Sequence, residues 1–356
     1  MKTIVLIPAL NPDEKTLRYV NELNGVGFDK IIVINDGSSA DYDGVFDELA
    51  KVEGVTVLTH KVNQGKGRGL KTGFNHILKE YSPDEITGVV TADADGQHCA
   101  ADTLAAAKAL EASPGSLIIG TRNFSAGDVP LRNATGNRIT SFVFLLLYGK
   151  MIHDTQTGLR AIPYGYLRKC LSLEGERYEY EINMLISAVN DKLPIEELPI
   201  QTIYIEGNKS SHYNVLRDSF RIYKVLFGKF FGFSLSGILS FAVDIGLYSL
   251  LTKFVFTALS DNTAVFGATA LARIVSSMIN YTANKNLVFK SGGKTSVTLA
   301  KYYALCALQM LASFTALALI RSLLSIPASA TSGIKIAVDA VLFLISYGVQ
   351  RKYIFK

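Results

Sequence analysis

Two carboxylates spaced i, i+2, Asp93 and Asp95, follow closely on the apolar run Ile86 to Val90, with Gly96, Gln97 and His98 after them. At the end of an extended strand, side chains at i and i+2 leave on one side, so the pair can share one hard cation. A cation held there suits a diphosphate. The competing explanation is turn chemistry, because Asp and Gly cluster after strands for conformational reasons alone. Asn35-Asp36-Gly37-Ser38 offers a carboxylate able to accept hydrogen bonds from a ribose or a base, or else a plain turn with a helix cap. Lys66 and Arg68 stand among Gly65, Gly67 and Gly69, which lets backbone approach a phosphate closely, although the stretch is not a Walker A loop. Arg122, Arg132 and Arg138 lie within 17 residues and suit bidentate capture of phosphate, or else face solvent.

Strand-like runs Ile4–Ile7, Lys30–Ile34, Val55–Thr59, Gly88–Thr91 and Ser116–Gly120 must position these groups. They alternate with helix-like segments Glu14–Asn24, Tyr42–Lys51, Gly69–Glu80 and Ala101–Ala112. That alternation predicts an α/β unit with a mostly parallel sheet, in which ligands bind outside the carboxyl ends of the strands. Pro8-Ala9-Leu10-Asn11, the Asp36 turn, the Lys66 loop and the Asp93/Asp95 loop all fall there, so one site can collect them. Cys99, Cys170 and Cys306 are far apart and form no Cys-x-x-Cys, which argues against a disulfide framework or a zinc site.

Leu6-Ile7-Pro8-Ala9-Leu10-Asn11, Ile34-Asn35-Asp36-Gly37-Ser38, Asn63-x-Gly65-Lys66-Gly67 and Asp93-Ala94-Asp95-Gly96-Gln97-His98, in that order, resemble glycosyltransferase family 2 in its dolichyl/polyprenyl-phosphate sugar synthase branch. The resemblance implies a GT-A fold, Rossmann-like with a mostly parallel sheet, binding a nucleotide-sugar with Mg²⁺ or Mn²⁺. It implies nucleoside contacts from Pro8, Ala9 and Asp36, with Asn11, Lys66, Asp93 and Ala94 completing the nucleotide site. Asp93, Asp95 and Gln97 would surround the metal, Asp95 being the catalytic carboxylate. Where the family often has Tyr-Asn-Glu, this chain has Leu10-Asn11-Pro12, with acids only at Asp13 and Glu14. Arg122 and Arg132 are expected on the lipid phosphate, with Arg138 a further acceptor-side candidate. Asp154 is expected on sugar hydroxyls and Arg160 in a structural ion pair. Lys209 or His212 would close over the diphosphate from a flap around Gly207–His212. Tyr178-Glu179-Tyr180-Glu181 also matches the family, its glutamates structural or substrate-contacting.

The last third of the chain changes character. Four apolar spans, about 230–256, 264–288, 297–324 and 333–350, predict an all-α, four-helix transmembrane domain. Before them, Arg217, Arg221 and Lys224 make one basic face of an amphipathic helix over 213–229, read as lying on the membrane surface or packed on the α/β domain. The apolar stretch Ile139–Ile152 is open to the same two readings. The expected domains are thus 1–212, 213–229 and 230–356. Met1-Lys2-Thr3 leads into a run too short for a signal peptide, and Lys and Arg crowd the connection after the second span and the C-terminus but not the loop Thr257–Thr263. Both termini and the α/β domain are therefore expected in the cytoplasm, on a multi-pass protein of the cytoplasmic membrane.

Ile279–Lys290 also matches Ile345–Lys356 at a constant offset of 66, the mark of two helical hairpins in one orientation. The offset sets Arg273 level with Asp339, so an intramembrane pair of Arg273 with Asp339 or with Asp244 is expected. The four-span unit resembles the GtrA-type membrane domain, which is linked to polyprenyl-phosphate sugar handling; anchoring and oligomerisation alone would also explain it.

The combined expectation is an inverting, metal-dependent transfer of a sugar, with UDP-glucose favoured over GDP-mannose or UDP-N-acetylglucosamine, to an undecaprenyl-type polyprenyl phosphate at the cytoplasmic leaflet. A phosphate monoester, second pKa roughly 6, is largely ionised near neutrality and needs no strong protein base. A lipid-linked sugar transporter with a regulatory α/β domain is the rival from another class. A processive polysaccharide synthase is disfavoured because its general-base carboxylate and acceptor-binding segment are not found. No nucleic-acid partner is expected, and a homo-oligomer, such as a tetramer, is.

Overall fold

The computed structural model describes residues 2–124, 131–201, 215–258, 260–324 and 332–356. Its chain divides into two units, Met1–Leu226 and Phe227–Lys356.

In the first unit the β-branched runs form β1 (Thr3–Ala9), β2 (Ile31–Asn35), β3 (Val55–Thr59), β4 (Gly88–Thr91) and β5 (Leu117–Arg122), close to the predicted bounds. Two strands were not predicted, β6 (Arg160–Pro163) and β7 (Ile195–Ile200). They complete a seven-stranded sheet in the order β3-β2-β1-β4-β6-β5-β7. Strands β3, β2, β1 and β4 run parallel, β6 is antiparallel to both neighbours, and β7 is parallel to β5. The inner strands β2, β4 and β6 are buried throughout, as apolar runs covered on both faces must be, while the edges β3 and β7 are half exposed. Pro199 in β7 fits an edge, where a missing N–H costs no ladder bond.

Helices α1 (Glu14–Gly25), α2 (Asp43–Lys51), α3 (Lys66–Glu80), α4 (Ala100–Ala112), α5 (Leu131–Tyr148), α6 (Tyr164–Leu171) and α7 (Glu179–Asn190) belong to this unit. One side of the sheet buries Val5, Ile7, Val33 and Val90 against Tyr19, Val20 and Leu23 of α1 and Ala106 and Leu110 of α4. The chain leaves β1 through β2 and β3 on one side and returns through β4 on the other. That reversal opens a crevice at the carboxyl ends of β1 and β4.

Among the described residues four helices are long and apolar enough to cross a bilayer. The first, α8 (Val215–Leu250), is one helix of 36 residues, about 54 Å at ~1.5 Å per residue. The expected amphipathic element is therefore not separate: it forms the first turns of the helix that becomes the first span. Then come α9 (Asp261–Ala283), α10 (Thr295–Leu324) and α11 (Ser332–Val349).

The repeat is visible in the backbone. Both α9 and α11 close in a π-helical turn, Asn284–Val288 and Gln350–Ile354, at the same offset of 66. Equivalent residues meet: Asn284 Nδ2 donates to Gln350 Oε1 at 3.2 Å, and the rings of Phe289 and Phe355 stack at 5.5 Å. Of the two pairings left open for Arg273, the structure forms the one with Asp244, at 3.2 Å. Asp339 instead accepts from Lys335 at 2.7 Å and Ser313 at 2.6 Å.

Candidate active site

The loops after β1, β2 and β4 and the start of α3 enclose a cavity of about 360 Å³. Pro8, Ala9, Asn11, Asp36, Lys66, Asp93, Ala94 and Asp95, all predicted, line it together with Asp13, Arg177, Tyr178 and Asp218. Asn11 ties two of these loops together. It takes φ +47, a left-handed conformation that Asn tolerates better than most residues. From there its N–H donates to Ser38 Oγ at 2.8 Å and its side-chain oxygen accepts from Ser39 N at 3.0 Å.

Asp36 is not a free carboxylate. It is buried and accepts from Gln64 N at 2.9 Å and Gly65 N at 2.7 Å, while His60 Nδ1 lies 2.7 Å from Oδ1. The His60 ring is fixed from its other side by Thr72 Oγ1 at 2.8 Å. Asp36 thus holds the two residues that lead into α3, which sets its carboxylate near that helix N-terminus, a favourable place for negative charge. That helix begins at Lys66, three residues before the predicted Gly69. Gly65, at φ +102, leads into it, and a Cβ there would lie 2.4 Å from Glu176 O.

Lys66 on the first turn of α3 is shared by two carboxylates, Asp93 Oδ1 at 2.6 Å and Glu181 Oε1 of α7 at 3.0 Å. Burial works against its charge, but Asp93 and Glu181 outweigh that and raise its pKa. Burial likewise opposes ionisation of Asp93, yet Lys66, with His98, holds it well below the usual carboxylate range. Asp95 shifts the other way, raised by burial and then by the neighbouring Asp93 charge. Its Oδ1 accepts from Gln97 N at 3.1 Å. His98 is buried with Nε2 3.6 Å from Asp93 Oδ2, beyond hydrogen-bond range. Gly158, in the loop before β6, has no side chain because the Asp93 carboxylate stands there: a Cβ would lie 2.2 Å from its Oδ2.

Two adjoining carboxylates, one resisting ionisation because of the other, are the arrangement that a divalent cation relieves. The donors are hard oxygens, which suits Mg²⁺ or Mn²⁺. Among the described residues no group of three or more His, Cys, Asp or Glu is placed to hold a metal ion. The residues fit such an ion.

The predicted acceptor side is arranged differently. Arg122 and Asp154 were expected on separate substrate groups; instead they form a bidentate pair, Nε to Oδ2 at 2.7 Å and Nη2 to Oδ1 at 3.0 Å. Asp154 has no exposed surface and also accepts from Arg122 N and Gln156 N, so it cannot reach sugar hydroxyls in this form. Arg160 makes no ion pair among the described residues and is buried. It donates to the carbonyls of Thr157, Glu181 and Thr155, clamping the Gly158 loop to α7. Arg138 is exposed on α5, and neither it nor Gln97 lines the cavity. Lys209, His212 and the side chain of Arg132 lie outside the described residues. Cys99, Cys170 and Cys306 are free.

His60, Gly158, Arg177 and Asp218 were not singled out. Arg177 stood next to the Tyr178-Glu179-Tyr180-Glu181 motif, and Asp218 was the lone acid among residues 213–229, which were the available signals.

The Glycosyl transferase family 2 model matches residues 4–170, and the GtrA/DPMS transmembrane domain model matches 232–355. An uncharacterized protein of Methanocaldococcus jannaschii is 33% identical over 64% of this chain and 92% of its own length. The UDP-N-acetylglucosamine–dolichyl-phosphate N-acetylglucosaminyltransferase of Methanococcus voltae is 32% identical over 60% of this chain and 90% of its own. The dolichyl-phosphate beta-glucosyltransferase of Saccharomyces cerevisiae is 25% identical over 58% and 68%. Among solved structures, glucosyl-3-phosphoglycerate synthase of Mycobacterium tuberculosis aligns with a TM-score of 0.48 and 16% identity, over 64% of this chain and 78% of that one.

Proposed function

The chain belongs to glycosyl transferase family 2, with a GtrA/DPMS transmembrane domain following the catalytic one, and we propose that it transfers a sugar from a nucleotide-sugar to the phosphate of a polyprenyl lipid. The observation that carries this reading is the cavity in which Lys66, Asp93 and Asp95 meet at the switch point of the sheet. The two relatives named for transfer to dolichyl phosphate support the acceptor class. UDP-glucose is the donor proposed, and UDP-N-acetylglucosamine, named in the Methanococcus voltae relative, is the second to try.

Asp93 and Asp95 would hold a divalent cation, which supplies neutralisation of the departing nucleoside diphosphate. The Asn11 and Asp36 loops form the wall for the nucleoside, and Lys66 and Arg177 place positive charge inside the cavity. The lipid phosphate is its own nucleophile, with a second pKa of roughly 6. The residues of the chain therefore need only orient it and exclude water. Arg132 and Lys209 are the proposed holders of that phosphate and of the diphosphate, while Arg122 serves by fixing Asp154 and the loop before β6. Attack in line gives inversion. We assign this chemistry to the cytoplasmic leaflet, a reading that the distribution of Lys and Arg supports.

The test offers detergent-solubilised protein polyprenyl phosphate with UDP-glucose, UDP-N-acetylglucosamine, UDP-galactose or GDP-mannose and measures nucleotide release and glycolipid. One donor should give both products with inversion. No release from any donor, in the presence of Mg²⁺ or Mn²⁺, favours a transporter and overturns the reading.

A further inference from the structure

The glycine-rich turn into α3 is already occupied. A Cβ on Gly67 would lie 2.6 Å from Tyr180 Cβ and 2.9 Å from the Glu176 carbonyl carbon, and Glu176 O fills the place of a Cβ on Gly65. What these two glycines admit at close range is another stretch of this chain, the turn Gly175-Glu176-Arg177 that precedes α7. Arg68, which the spacing offered to a phosphate, faces that turn instead. Its N–H donates to Glu176 O at 3.0 Å, its Nε lies 2.8 Å from Glu176 Oε2, and it does not line the cavity.

The turn is held from two more directions. Lys71 of α3 is buried, and its Nζ donates to Glu176 Oε1 at 3.1 Å and to Gly175 O at 2.9 Å. Glu179 Oε1 accepts from the N–H groups of Glu176 at 3.2 Å and Arg177 at 3.3 Å. Three successive residues are thus fixed by their neighbours, and the Arg177 side chain is the part left over. It lines the cavity and makes no ion pair or hydrogen bond with the described residues. The other cation of the cavity, Lys66, is bound to Asp93 and Glu181.

We propose that the Arg177 guanidinium contacts the diphosphate of the donor, and that Glu176, gripped by Arg68 and Lys71, is the residue that positions it. The inference rests on the nucleotide-sugar reading of the cavity and names the part of the donor that this turn recognises. A guanidinium suits paired phosphate oxygens, and a turn fixed before the ligand arrives spares binding the cost of ordering it. Positioning and plain electrostatics predict opposite signs at Glu176. A carboxylate repels a diphosphate, so by charge alone its removal tightens binding; by positioning, its removal weakens binding.

Calorimetric titration of UDP and of GDP into the full chain in detergent with Mn²⁺ tests this. The parent should bind one of them. Arg177→Gln should weaken that binding about tenfold, and Arg177→Lys, which keeps a point charge, about threefold. Glu176→Ala should weaken it about fivefold, and should change nothing further in a chain that already carries Arg177→Gln, whereas a merely structural loss would persist there. Arg68→Gln removes only a half-exposed pair, which contributes little to folding; it should weaken binding about twofold with the same dependence on Arg177, and it decides the matter if Glu176→Ala melts low. The proposal is overturned if Arg177→Gln binds as the parent does, if Glu176→Ala binds as tightly as the parent or more so, or if the losses at Glu176 and Arg68 are undiminished without Arg177. A parent that binds UDP or GDP through Arg177 but forms no glycolipid refutes the transfer reading and leaves this assignment standing; a parent that binds neither nucleotide overturns both.

Discussion

Replacing Lys66 by Met keeps the length of the side chain and removes its charge. The ammonium lies 2.6 Å from Asp93 and 3.0 Å from Glu181, its own side chain is 14% exposed, and Glu181 is 8% exposed. The variant thus leaves two largely buried carboxylates facing each other with nothing between them. Removing one partner of a buried ion pair costs about 3 to 5 kcal/mol. Asp93 is 29% exposed and can regain some water, which argues for the lower end, about 3 kcal/mol. For a unit of this size that is a fall of roughly 6 to 12 °C in melting temperature. The assay is thermal melting in detergent with EDTA. Two controls isolate the cause: Lys66→Met/Glu181→Gln should recover part of the loss, and Mn²⁺ should raise the melting point of Lys66→Met more than that of the parent. A variant that melts within about 2 °C of the parent in EDTA would refute the reasoning.

Gly158→Ala should cut transfer about a hundredfold, the cost of misplacing a reacting group by about 1 Å, because the new methyl displaces the Asp93 carboxylate; steady-state kinetics reads it. Asp95→Asn should abolish transfer yet raise the melting temperature in EDTA near pH 7. A carboxyl whose folded pKa is raised opposes folding once ionised, and the amide removes that opposition. Arg122→Lys cannot keep the bidentate contact and leaves Asp154 buried with a point charge, so destabilisation of about 3 kcal/mol is expected by melting. Arg273→Gln and Asp244→Asn should be non-additive in detergent melting, with the double variant losing less than the two single losses together.

The strands and the loops after them were legible because a buried parallel strand must be an apolar run and polar residues directly after it have few other uses. The nucleotide-side set came from that rule together with the family resemblance. What the sequence did not disclose was partnership. Arg122 and Asp154 are 32 residues apart, and each alone looks like a substrate contact; only the fold reveals that they neutralise each other. Gly158 reads as loop flexibility until Asp93 is found in the place of its Cβ. Strands β6 and β7 were missed because four residues, Arg160–Pro163, and a run with two glutamates and a proline, Ile195–Ile200, carry too little period to register. The start of α3 was misjudged because three glycines read as loop, whereas the distant Asp36 carboxylate fixes Gln64 and Gly65 immediately before the helix begins at Lys66.

The same accounting of partners bears on the cation. The cavity is lined by five aspartates, Asp13, Asp36, Asp93, Asp95 and Asp218, against one lysine and one arginine. Asp36 is answered by backbone N–H groups and Asp93 by Lys66, and Asp218 has Arg221 at 3.5 Å. Lys66 in turn is claimed by Glu181, so its charge is not free for a ligand. Such a cavity repels a bare nucleoside diphosphate, whose charge has the same sign. It becomes attractive when a divalent cation enters beside Asp95, where the unfavourable charge is concentrated. Donor affinity should therefore depend on the divalent ion far more than on any single basic residue of the cavity. Titration of UDP with and without Mn²⁺, in the parent and in Arg177→Gln, decides it: a larger loss from the arginine than from EDTA would reverse the argument.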